Sequence, residues 1–142
     1  MFRFILANTS TTSNMKGQLQ LEQIEKNTLK EKVLLMAEVL KNCNLPQCVG
    51  MIYDPKENKF CALGALGFSA GMPKDELKTQ PFVDILGKYL TAKESSTLVS
   101  LPIVLDNTPR EVPLAQSIYL LNDQGWTFKE IAIFLKDVAS EL

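Results

Sequence analysis

The chain has 142 residues, 46% hydrophobic and 22% charged, with a formal net charge of −1 and no histidine. That suits one domain with a buried core and is far from disordered composition. Near-neutral charge, with Arg3 and Arg110 the only arginines, offers neither field nor fork to nucleic acid or an anionic membrane, and the missing imidazole removes Ser-His-Asp and Cys-His catalysis, the HExxH zinc site and any histidine pH switch.

The opening segment, MFRFILANTSTTSNMKG, has an apolar run from Phe4 to Ala7 that is too short for a signal peptide, and no run is long enough to span a membrane. Residues 1–17 are expected to form a flexible arm and residues 18–142 a single helical domain; Met1 and Met15 both stand as candidate starts. The first helix is predicted to open at Thr28, where Thr28-Leu-Lys-Glu31 has capping-box spacing and Leu29, Val33, Met36, Leu40 and Cys43 recur on one face. Gln18–Lys26 offers an extension of this helix, with Leu21 and Ile24 as its core contacts. Asn44-Leu45-Pro46 ends it.

Val49–Tyr53 and Lys59–Ala62 flank the turn sequence Asp54-Pro-Lys-Glu-Asn58 and predict a β-hairpin. FCALGALGFSAG follows. Each of Gly64 and Gly67 costs a helix about 1 kcal/mol relative to alanine, so a helix that keeps both needs a compensating gain. Cys61, Gly64, Ala65 and Phe68 would line one side and Leu63, Leu66 and Ala70 another, the first side letting a neighbouring backbone approach closely. Gly71 suits the residue that closes the helix. Pro73 is expected at the first position of a short helix, with Asp75 and Glu76 in its first turn. Phe82, Ile85, Leu86, Tyr89 and Leu90 form a helical stripe. Thr91-x-x-Glu94 can cap another short helix and Leu101–Leu105 can be a strand or extended segment, but Pro102, Pro109 and Pro113 predict that residues 91–113 are mostly irregular. The last 30 or so residues predict a helical hairpin. Pro113 opens a helix with Leu114, Ile118 and Leu121 inward, Gly125 ends it, and Thr127-x-x-Glu130 caps a final helix. Trp126 and Ile131 are spaced as a hydrophobic staple; Phe128, Ile131, Ala132, Leu135, Val138 and Leu142 form the expected core face. The fold class is therefore mainly α (α+β), with one small β-hairpin and a C-terminal helical hairpin.

Chemistry is sparse. Cys43, Cys48 and Cys61 are odd in number and lack CxxC spacing, which points to free thiols in a reducing cytoplasm. Cys61 is the one nucleophile candidate, since a helix N-terminus lowers a thiol pKa, but no histidine can serve as its base and its apolar surroundings favour a core role. GALGFSAG matches neither phosphate-loop pattern. Asp54, Asp106 and Asp123 are too scattered to specify a metal, and no cofactor is expected. YLLNDQGWTFKEIAIFL has the outline of half a helix-turn-helix. Yet Lys136–Leu142 continue the same helix, and its start presents Phe128, Lys129 and Glu130 rather than base-reading side chains.

The pair Cys61-x-x-Gly64-Ala65-Leu66 and Asn122-Asp123-x-Gly125 with Ile131-Ala132-x-x-Leu135 resembles a family of small bacterial and phage proteins of no known activity. The resemblance covers residues 53–66 and 121–135 and implies a fold rather than a reaction, with Cys61, Asn122 and Asp123 as a candidate cluster. The leading expectation is a small cytoplasmic interaction or regulatory protein, non-enzymatic, of phage or mobile-element type, binding another protein or itself and neither membrane nor nucleic acid. A thiol-dependent enzyme using Cys61 with Asn122 or Asp123, and a DNA-binding regulator, are the alternatives.

Overall fold

The structure, a computed structural model, describes residues 28–142. The arm expected over 1–17 and the helix extension over 18–26, with Leu21 and Ile24, lie outside the described residues. Helix α1 spans Leu29–Lys41, and Thr28 and Glu31 cap it reciprocally as their spacing predicts. Val33, Met36, Ala37 and Leu40 are buried along it. Lys32 is buried too, at 3% exposure, because its ammonium donates to both carboxylate oxygens of Glu94 at 2.8 and 3.0 Å.

The hairpin forms but is shorter than expected. Strand β1 is Tyr53–Asp54 and β2 is Lys59–Phe60, antiparallel with Tyr53 opposite Phe60. Residues 49–52 do not join it, since Gly50 turns the chain at φ +83°. The other flank of Phe60 is taken instead by Gln47, in a parallel bridge closed by Phe60 N to Pro46 O and Cys48 N to Phe60 O. Asp54 Oδ1 accepts from the Lys56 amide at 3.0 Å and so folds the turn.

Helix α2, Ala62–Ser69, follows at once and is the centre of the molecule. The small side and the large side are both inside the protein: every residue from Cys61 to Gly67 is buried. A helix apolar all round belongs inside a protein, and α2 is packed by α1 and by the helices that come after it. The close backbone approach is real at Gly64, where an added Cβ would overlap the carbonyl oxygen of Ile52. Gly67 instead faces the side chains of Ile85 and Leu77. Gly71, at φ +103°, closes the helix in a Schellman motif, its N–H bonding Phe68 O while that of Met72 bonds Gly67 O.

Three one-turn helices follow, α3 (Lys74–Leu77) and α4 (Phe82–Ile85), which pack on α2, and α5 (Ala92–Ser95), which packs on α4. Pro73 stands one position earlier than expected, as the N-cap of α3. The stripe from Phe82 to Leu90 is not one helix, for α4 stops at Ile85 just before Gly87. A second helical turn still brings Ile85, Leu86, Tyr89 and Leu90 into the core. The Tyr89 hydroxyl donates to Leu66 O at 2.8 Å, and burial pushes its pKa up to about 12.

Residues 91–113 are more ordered than their prolines imply. Thr91 and Glu94 complete the capping box of α5. Strand β3 (Leu98–Ser100) then pairs antiparallel with β4 (Glu111–Pro113), a second ladder in a region expected to be irregular. The strand lies before Leu101–Leu105, not within it. Helix α6 (Leu114–Asp123) ends in another Schellman motif at Gly125, with Gly125 N to Asn122 O and Trp126 N to Leu121 O. Thr127 and Glu130 cap α7 (Phe128–Ser140). Its core face is Phe128, Ile131, Ala132, Phe134, Leu135 and Ala139; Val138 is only partly buried, and Leu142, expected inside, is 48% exposed because it lies past the helix end. The fold is thus mainly α, with two small antiparallel strand pairs and a C-terminal helical pair. The main partner of α7 is α1 rather than α6. Among the described residues no helix is long and apolar enough to cross a membrane.

Candidate functional site

Two places can be weighed as sites. The first is the junction of β2 and α2, where Cys61 occupies the N-cap position with extended backbone (φ −79°, ψ 176°). Its Sγ accepts from the Gly64 amide at 3.4 Å, the role a serine oxygen plays in other helices. The thiol has no exposed surface. Burial pushes its pKa up to about 12, outweighing the Gly64 and Leu63 amides that favour a thiolate. Such a group is neither nucleophile nor ready ligand at neutral pH.

Asn122, in the last turn of α6, is also buried. Its Oδ1 accepts from the Ala62 amide at 2.9 Å and from Gln47 Nε2 at 2.7 Å, while its Nδ2 donates to Cys48 O at 2.9 Å. The other Nε2 proton of Gln47 goes to Trp126 O at 2.7 Å. The carboxamides of Asn122 and Gln47 therefore tie together the start of α2, the 44–52 loop and the turn after α6. The structure brings Asn122 beside Cys61, as the expected cluster requires, but the bonds run to the Ala62 backbone and not to the thiol. Asp123 is exposed and stands apart, its carboxylate facing Gly50. The arrangement is a cross-brace, with both oxygen lone pairs of Asn122 committed.

Cys48 is buried as well, its Sγ donating weakly to Met51 O at 3.5 Å; burial first, and Asp54 second, push its pKa up. Cys43, Cys48 and Cys61 are all free thiols. Among the described residues no three acidic or thiol side chains converge as a metal site would need.

The second place was not singled out by sequence. The loop from Leu101 to Arg110 is closed at its base by Leu101 N to Arg110 O at 2.8 Å and by Arg110 Nε to Leu101 O at 2.9 Å. Asn107 adopts φ +60° at its tip, and Thr108 N bonds back to Leu105 O at 3.3 Å. Between this loop and α6 lies an open groove of about 450 Å³, lined by Val104, Leu105, Asp106, Thr108, Leu120 and Gln124. Val104 is 78% exposed on the loop. The signal available in sequence was Ile103-Val104-Leu105 confined between Pro102 and Pro109, an apolar run in a segment otherwise built to stay at the surface.

Comparison of the chain with protein-family models, with curated proteins and with solved structures finds no match to any of them.

Proposed function

We propose that the protein is a non-enzymatic interaction module of the cytoplasm whose groove between the 101–110 loop and α6 takes a short, mainly polar segment of a partner protein with one apolar anchor. The observation that carries this reading is the groove itself, a mainly polar trough with Val104, Leu105 and Leu120 in its walls and Val104 bare on the loop. A concave surface with a few apolar side chains among convergent polar groups is the usual form of a binding site. Asp106 is the only charged residue of the lining, so a segment with a lysine or arginine beside its apolar anchor suits it best. Three free thiols support a reducing compartment. Against the thiol-enzyme alternative stands the buried Cys61, held protonated by its surroundings.

Affinity selection from a random peptide library tests the reading. Wild type should enrich polar sequences that carry one apolar and one basic residue, Asp106→Asn should lose the basic preference, and Val104→Asp should lose enrichment while melting like wild type. Enrichment that survives Val104→Asp, or none at all with wild type, overturns it.

A further inference from the structure

Two of the three free thiols belong to segments that run side by side. The parallel bridge of Gln47 and Phe60 is made by Phe60 N to Pro46 O at 2.8 Å and Cys48 N to Phe60 O at 2.9 Å. One residue further along each segment stand Cys48 and Cys61. In a continuing parallel ladder the next bond would run from Ala62 N to Cys48 O. The Asn122 carboxamide takes its place, accepting from the Ala62 amide and donating to Cys48 O, both at 2.9 Å. Cys48 therefore turns its N–H and its C=O toward the 60–62 segment, as an extended ladder residue does. Cys61 is extended too, at φ −79° and ψ 176°.

Facing residues of a ladder put their side chains on one face, with the strands about 4.8 Å apart. A disulfide needs Cα atoms roughly 4.4–6.8 Å apart, so the register suits one. Both side chains are held only by weak sulfur contacts, Cys48 Sγ to Met51 O at 3.5 Å and the Gly64 amide to Cys61 Sγ at 3.4 Å. Burial is the main cause of the raised Cys61 pKa, and the nearby Cys48 adds to it, which fits two thiols in one place. Their access differs. Cys48 keeps 8% of its surface and Cys61 none.

We propose that Cys48 and Cys61 are a redox pair, resting as thiols and closing into a disulfide when a peroxide reaches Cys48. The Cys48 sulfur attacks one peroxide oxygen and the O–O bond breaks, leaving a sulfenic acid and one water. The Cys61 sulfur then attacks the Cys48 sulfur. The S–S bond forms, the S–O bond breaks, and the departing hydroxide takes the Cys61 proton and leaves as the second water. Each thiol gives up one hydrogen and one electron, and the peroxide is reduced to two waters. The pKa of bulk water, roughly 15.7, lies far above the Cys61 value of about 12, so that proton transfer runs downhill. Cys61 is reached from within, by its neighbour, and needs no opening to solvent. Burial raises the Cys48 pKa and keeps the first step slow, so the pair answers sustained exposure to oxidant. Closure draws the Cys61 sulfur off the Gly64 amide and so couples redox state to the cap of α2.

Peroxide treatment of dilute Cys43→Ser protein, read by intact mass and peptide mapping, tests this; the substitution removes the third thiol and leaves the pair in place. The expected product has lost the mass of two hydrogens, carries a Cys48–Cys61 link within one chain, and regains the starting mass with dithiothreitol. Its Gly64 amide resonance should move on closure and return on reduction. If Cys43→Ser fails to fold, wild type mapped in the same way carries the test. Thiols that only gain oxygen, a link that forms only after urea has unfolded the chain, or a link only between chains overturns the proposal. A Gly64 resonance that stays in place overturns it too. The pair lies outside the groove, so its failure leaves the reading of the groove standing.

Discussion

Replacing Gly64 by alanine probes the centre of the fold, and Gly67→Ala provides the contrast. A Cβ at Gly64 overlaps the carbonyl oxygen of Ile52 and comes within 3.2 Å of its carbonyl carbon. That oxygen accepts from the Cys61 amide at 3.0 Å, so it cannot swing aside without breaking a bond at the start of α2. Alanine gains about 1 kcal/mol in helix propensity. Overpacking costs roughly 1–3 kcal/mol, and a buried amide left without its acceptor costs roughly 1–3 kcal/mol more. The net is a loss of about 3 kcal/mol. At Gly67 the new methyl meets Ile85 Cγ2 at 2.8 Å and Leu77 Cδ2 at 3.0 Å, side-chain carbons that can give by a few tenths of an ångström without breaking a backbone bond. There the helical gain offsets most of the crowding, and stability should stay within about 1 kcal/mol of wild type. Urea unfolding followed by the fluorescence of Trp126, the only tryptophan, reads both variants. With a slope of about 1.5–2 kcal/mol per molar, Gly64→Ala should lower the midpoint by about 1.5–2 M and Gly67→Ala by less than about 0.7 M. Equal shifts, or a larger one at Gly67, would refute the distinction between backbone and side-chain crowding.

Asn122→Ala should cost roughly 2–5 kcal/mol, because it strips the Ala62 amide and the Cys48 carbonyl of their partners; a loss below about 1 kcal/mol in the same urea assay would mean that the brace is replaceable. Cys61 should resist alkylation at neutral pH until the whole protein opens, with the partly exposed Cys43 reacting first; labelling of both at one rate would contradict the buried cap. For Glu94, burial by itself raises the carboxyl, but Lys32 and the Thr91 cap outweigh it and hold the pKa below the ordinary 4.5. A depressed folded-state value means that the contribution is complete above pH 4.5 and is lost as pH falls through that lower value. Glu94→Gln should therefore lose less stability than wild type as pH drops from about 6 to about 3, and parallel curves would sink the linkage.

What could be read in advance was what is written locally. The three capping boxes, Thr28 with Glu31, Thr91 with Glu94 and Thr127 with Glu130, each lie within one turn of chain and all form. Gly71 and Gly125 close their helices for the same reason. Partnership between distant segments was not written anywhere. The apolar stripe of α7 is plain, yet nothing in it names α1 as its mate. Val99 finds Val112 across a loop full of prolines, and only the closed ladder explains why those prolines do not spoil it. Nothing local marks Lys32 as buried, since the glutamate that buries it lies 62 residues on. At the site, Asn122 was singled out beside Cys61, but as chemistry; its three bonds reach residues 60 to 75 positions away and make it structural. The groove was missed because its two walls come from separate segments.

The brace at Asn122 also sets an order of events during synthesis. The first amide of α2 and the carbonyl of Cys48 wait for a side chain that the ribosome adds 60 and 74 positions later. At roughly 5–20 residues per second this is several seconds during which the buried helix has no finished N-terminus. Helix α1 waits longer still, since the face that covers it arrives with α7. The nascent chain should therefore stay sensitive to protease until α7 has emerged and then become resistant in a single step, rather than acquiring protection helix by helix.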